Sequence, residues 1–145
     1  MFLNMLICRD LRGMEYLLAY GTKIMKINYC VVGTSNMEAS IVFYDSFFEN
    51  TDLKQVLSNE RMTFWQCDDF SFAVAYPFNG EPATHGNGTM IGFSLSSSEE
   101  VKNFHKKAID LGGACEGAPN QRGPYFSAYV RDLDKNKLCF SYSGS

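Results

Sequence analysis

The sequence predicts an α+β fold in which two βαβββ modules form curved, mostly antiparallel sheets around a cavity. Three observations carry this prediction. The order strand, helix, three strands can be read twice between residues 26 and 142, and the capping serines of the two helices, Ser35 and Ser97, stand 62 residues apart. Such an offset is the mark of a duplicated unit. The strand segments alternate large apolar with small or polar residues, the pattern of a sheet buried on one face. The 145 residues are 46% hydrophobic and include 12 Phe and 8 Tyr, enough for a core without disulfide support.

Residues 1–24 read as an N-terminal extension. Ile7, Leu11, Met14 and Leu18 recur at helical spacing, which suits an amphipathic helix; the alternative is a loosely ordered segment. The first basic residue, Arg9, follows the apolar run instead of preceding it, so a secretory signal is not expected. Residues 25–142 read as one domain made of modules 26–78 and 88–142, joined by a linker over 79–87.

In the first module, Ile27 to Gly33 is a β-branched apolar run that ends in Thr34-Ser35-Asn36, and Ser35 with Glu38 has capping-box spacing. Met37, Ile41, Tyr44 and Phe48, widened by Phe47, mark one helical face. Strands are predicted over Leu53–Ser58, Met62–Cys67 and Phe70–Tyr76, with Asp68-Asp69 as the turn between the last two. In the second module, Thr89–Leu95 is a strand, and Ser97 with Glu100 repeats the capping box. Val101, Phe104, Ala108 and Leu111 form a stripe that Gly112-Gly113 ends as a left-handed cap. Ala114–Glu116, Tyr125–Arg131 and Lys137–Tyr142 complete the set.

Parity assigns the faces. Ile91, Phe93 and Leu95, Leu138, Phe140 and Tyr142, and Phe72 and Val74 point toward the helices, leaving Met90, Gly92, Cys139, Ala73 and Ala75 on the other side. Small residues on a curved face leave room for a ligand.

Composition narrows the function. A net charge of −3 with scattered Lys and Arg argues against nucleic acid, and no apolar stretch approaches the roughly 20 residues that span a bilayer. Five cysteines, odd in number and never in a CxxC pair, predict free thiols in a reducing, cytoplasmic setting. Only two histidines, His85 and His105, are present, and no spacing brings them together. Asp132, Asp134 and Asn136 imitate the start of a calcium loop, but Lys137 and Ser143 stand where that loop needs glycine and glutamate.

Four stretches, INYCVVGTSNMEASIVFY (27–44), PATHGNGTMIGF (82–93), GGACEGAP (112–119) and YVRDLDKNKLCF (129–140), resemble the vicinal oxygen chelate superfamily. It takes in glyoxalase I, the bleomycin and fosfomycin resistance proteins and extradiol dioxygenases, and the resemblance covers residues 26–142. It implies a metal held by histidine or glutamine and glutamate on four strands. The matching positions here are Tyr29, Met90, Cys139 and one of Ala73 or Ala75, a poor donor set for a hard divalent ion.

The expectation is therefore a glyoxalase/bleomycin-resistance-like protein without a cofactor. It binds or sequesters a small, partly aromatic or apolar organic molecule in a pocket of Tyr29, Met90 and Cys139. Trp65, Tyr125, Tyr129 and Phe64 are candidate contributors, and Arg122 sits on a loop able to close over the pocket. The bleomycin-binding branch implies a homodimer. The alternative is a metal-dependent glyoxalase-like lyase or dioxygenase with an atypical ligand set.

Overall fold

The computed structural model describes residues 6–9, 15–18, 23 and 25–144. Its first elements correct the helix expected in the extension: β1 (Leu6–Arg9) and β2 (Glu15–Leu18) pair antiparallel, Leu6 opposite Leu18 and Arg9 opposite Glu15. The intervening sequence carries Asp10 and Gly13, turn formers that weaken a continuous helix.

The remaining elements follow the predicted order. The first module has β3 (Tyr29–Gly33), α1 (Met37–Phe47), β4 (Lys54–Ser58), β5 (Met62–Gln66) and β6 (Ser71–Ala75). The second has β7 (Ile91–Ser94), α2 (Ser98–Asp110), β8 (Ala114–Arg122), β9 (Tyr125–Arg131) and β10 (Lys137–Ser143). Each module makes a four-stranded sheet, in the orders β3-β6-β5-β4 and β7-β10-β9-β8. One pair in each sheet is parallel, β3 with β6 and β7 with β10, and the others are antiparallel. The sheets do not close into a barrel.

Strand β8 runs six residues beyond the expected Glu116 and includes Pro119. Proline is tolerated there because β8 is an edge strand whose register against β9 shifts around Gly117.

The apolar faces of both sheets and both helices meet in one aromatic core. Tyr44 and Phe47 of α1 stack among Phe48, Trp65, Phe72, Phe104 and Phe140 at centroid distances of 4.6–6.3 Å. Phe43, absent from the predicted stripe, is also buried, so the apolar face of α1 is wider than predicted.

The two helices start differently. Helix α2 is capped by the expected Ser97, whose Oγ accepts from Glu100 N, but the Glu100 carboxylate reaches one residue further back and accepts from Ser96 N and Ser96 Oγ. Those bonds hold the Glu100 carboxyl below its usual range. Helix α1 is capped by Asn36, one residue after the expected Ser35, with Asn36 Oδ1 accepting from Ala39 N at 3.0 Å.

Ser35 N instead donates to Asp134 Oδ1 at 2.8 Å, in the β9–β10 turn of the other module. That turn is a latch between the modules. Tyr44 Oη donates to Asp132 Oδ2 at 2.6 Å, Asn136 Nδ2 donates to Gly33 O at 2.9 Å, and Ser40 Oγ donates to Asp134 Oδ2 at 3.1 Å. Burial raises the Asp132 carboxyl, against the hydrogen bonds from Tyr44 and Asn136 that lower it. The Tyr44 phenol is pushed well above its usual value by burial and by the Asp132 charge.

Candidate functional site

Because the helix-facing sides are consumed by the shared core, each sheet turns its other face outward. On the first sheet that face carries Tyr29, Val31, Phe64 and Leu57 over Ala73 and Ala75. Tyr29 is 57% exposed, and Val31 and Leu57 are also exposed. Charged groups are scarce on it.

The outward face of the second sheet is different in kind. Period-two alternation along β9 puts Tyr125, Ser127, Tyr129 and Arg131 on it, and along β10 Lys137, Cys139 and Ser141. Tyr129 is its centre. The Arg122 guanidinium lies 5.1 Å from the Tyr129 ring and the Lys137 amino group 5.3 Å from it, both within the range of a cation–π contact. Glu116 bridges Arg131 at 2.8 Å and Lys137 at 3.9 Å, and those cations, Arg131 foremost through its hydrogen bond, hold the Glu116 carboxyl low.

Cys139 stands between Tyr129 and Gly92 in the register. At 8% exposure its thiol is pushed up by burial, although a hydrogen bond with Tyr129 and the charges of Arg122 and Lys137 pull the other way. A buried thiol raised in this way is not an activated nucleophile. Above Gly92 there is open space: a Cβ added there meets no atom within 4 Å.

The expected site residues thus divide. Met90, Tyr125, Cys139 and Arg122 belong to the second module and Tyr29 to the outward face of the first. Trp65 does not join them. It is 1% exposed on the helix side of β5, packed on Tyr44 and Phe48, with its indole N–H donating to Asp45 Oδ1 at 2.8 Å. Phe64 takes the outward position, opposite Ala73. Phe64 and Trp65 are adjacent large aromatics, and only pairing partners fix their parity.

Arg122 is also placed differently from expectation. It ends β8 instead of sitting on a mobile loop, and its guanidinium donates to the carbonyls of Ala118, Asn120 and Ser127. It braces its own hairpin while presenting one face beside Tyr129. Glu116 and Arg131 were missed by sequence reasoning, yet the alternation of β9 contained the signal for Arg131. His85 is exposed in the linker, and His105 Nε2 lies 3.3 Å from Cys115 Sγ, away from this face.

The donors at the positions matching a metal centre do not fit a hard divalent ion. They are an exposed phenol (Tyr29), a thioether 47% exposed (Met90) and a thiol held protonated by burial (Cys139), where imidazole and carboxylate are required. Among the described residues no three His, Cys, Asp or Glu side chains cluster closely enough to hold a metal ion.

Comparison with known proteins agrees with this architecture. Metallothiol transferase FosB of Bacillus licheniformis is 29% identical over 122 residues, covering 80% of this chain and 74% of the relative. A glyoxalase/bleomycin resistance protein from Albidiferax ferrireducens T118 superposes with a TM-score of 0.76 at 34% identity, covering 81% of this chain and 98% of that one. The fosfomycin resistance protein FosX of Listeria monocytogenes, solved with Mn(II) and sulfate, shares the fold at a TM-score of 0.66 and 16% identity, covering 84% of this chain and 93% of its own. The model of the Glyoxalase/Bleomycin resistance protein/Dioxygenase superfamily matches residues 26–140, and the chain belongs to that superfamily.

Proposed function

We propose that this protein binds a small, flat, partly aromatic organic molecule without a metal, at a site completed between two copies of the chain. The observation that carries the reading is the outward face of the second sheet, where Gly92 leaves free space beside Cys139 and Tyr129. A tyrosine ring, a thioether and a buried thiol suit an apolar or aromatic ligand body. The Lys137 and Arg122 cations at the edge of Tyr129 suit an anionic substituent.

The second copy supplies what this face lacks. In one chain the two outward faces turn away from the common core, and the first carries the exposed apolar residues Tyr29, Val31 and Leu57. Contiguous exposed apolar surface favours association. A homodimer that lays the first sheet of one copy over the second sheet of the other brings Tyr29 to Cys139 and encloses a cavity. The free thiols Cys30, Cys67, Cys115 and Cys139 support a reducing, cytoplasmic setting.

The test is a thermal-shift screen of aromatic acids against chelator-treated protein, with light scattering for mass. A ligand at 100 times its Kd adds about 2.7 kcal/mol. Gly92→Leu should fold normally, since the added side chain meets nothing, and should abolish the shift. Val31→Asp should give monomers that bind weakly. Hits that require added metal, or that survive Gly92→Leu, overturn the reading, and a metal requirement favours a glyoxalase-like lyase or dioxygenase.

A further inference from the structure

On the opposite side of both sheets, where α1 and α2 converge, a cleft of about 120 Å³ opens among the rings of Phe47, Phe48, Phe93, Phe104 and Phe140. Its walls come from both modules. The rings stand 5.4–6.5 Å apart, mostly edge to face, and rigid rings in that arrangement cannot collapse into the space they leave. Phe93 and Phe104 remain partly exposed, unlike the other three.

An apolar cavity of roughly 150 Å³ stays dry and takes up benzene. This cleft is of that order and opens to the surface, so it has room for one six-membered ring and not for a fused system. The exposed members of its lining, Asp52 and Ser94, mark the opening. Thr51 beside them is occupied, its hydroxyl donating to Phe48 O and accepting from Leu53 N. Asp52 forms no ion pair with another described residue.

We propose that this cleft is a second ligand site, specific for a single aromatic ring that carries an ammonium group. The ring lies among the phenylalanines with its edge toward their faces, and the ammonium reaches the Asp52 carboxylate at the opening. The phenylalanine faces, negative in their quadrupole, add to the preference for a cation. Fused-ring amines are excluded by volume and aromatic acids by the Asp52 charge. The site is independent of the sheet face, which favours an anionic ligand.

Benzylammonium and benzyl alcohol are the probes, titrated into the full-length protein and followed by protein NMR. The wild type should bind benzylammonium saturably at one equivalent per chain and at least threefold more tightly than the alcohol. Asp52→Asn, an exposed change that leaves the core untouched, should remove that preference while keeping alcohol binding. Leu95→Trp, which fills the cleft, should abolish both, and Gly92→Leu on the other face should change neither. Failure of both probes to saturate the wild type overturns the proposal, as does equal affinity for the two probes in the wild type. A benzylammonium preference that survives Asp52→Asn also overturns it. A failed aromatic-acid screen on the sheet face leaves this site standing.

Discussion

Helix α1 is capped by its own Asn36 but is braced from the opposite module, where Asp134 accepts from Ser35 N and Ser40 Oγ, whereas the start of α2 bonds only within its own module through Ser96, Ser97 and Glu100. The modules share one strand-helix order, and they have diverged in how they are held. The start of α2 is held locally, while that of α1 is braced as well by the latch, whose Asp132 and Asn136 are in turn partnered by Tyr44 and Gly33 of the first module. Their outward faces diverge in parallel, one exposed and apolar, the other a tyrosine ringed by cations. Duplication thus supplied two copies of a scaffold whose outward faces differ in chemistry, one aromatic and charged and the other apolar.

The largest effect is expected at the latch. Asp132→Ala strands the buried Tyr44 hydroxyl, two donors of Asn136 (its backbone N–H and an Nδ2 hydrogen) and the Asp134 amide, and loss of such a hub costs about 3 kcal/mol or more. Urea unfolding measures it, and a loss below about 1 kcal/mol would mean that the modules do not depend on the turn. Ser97→Ala, which removes the local cap of α2, should cost about 1 kcal/mol. If the two variants cost the same, the contrast between the cross-module latch and a local cap fails.

Lys135 offers a change of opposite sign. It sits in the latch turn at φ 68°, a left-handed conformation that favours glycine. Lys135→Gly should therefore stabilise the protein by about 0.5–1 kcal/mol, net of the entropy glycine adds to the unfolded chain. A thermal melt shifted downward would show that the lysine side chain contributes more than its backbone costs.

The smallest effect is on pH dependence. Burial raises the Asp132 carboxyl in the folded state, so the native chain keeps that proton to higher pH than the unfolded chain, whose value is near 3.8. Stability from this group therefore falls as pH rises from there through the folded value, and is level above it. Compared with Asp132→Asn, the wild type should lose ground across that window. A wild type that gains ground would reverse the assigned shift.

Much of this was legible in the sequence because it is written in short-range patterns. Ser97 and Glu100, Gly112 at φ 100°, and the alternation of Leu138, Cys139 and Phe140 all act within a few residues. Three features were not legible. Ser35 is not the cap because the helix starts one residue later, with Asn36 Oδ1 accepting from Ala39 N, while the Ser35 amide goes to Asp134, 99 residues away. Trp65 faces the core because the register of β5 against β4 and β6 sets its parity there, where its indole N–H finds Asp45 on α1. In the extension, where four apolar residues suited a helix with a loosely ordered segment as the alternative, residues 6–9 and 15–18 pair as strands, since a period of four over so short a segment is weak evidence against Gly13 and Asp10.

The central claim is that the ligand face works without a metal because Tyr29, Met90 and Cys139 occupy the positions of the donors. Calorimetric titration of chelator-treated protein with zinc, nickel, manganese and iron(II), with elemental analysis of the purified chain, tests it most directly. The account predicts no stoichiometric metal in the chain and no tight binding on titration. One equivalent of tightly held metal, lost in Cys139→Ser or Tyr29→Phe, would contradict it.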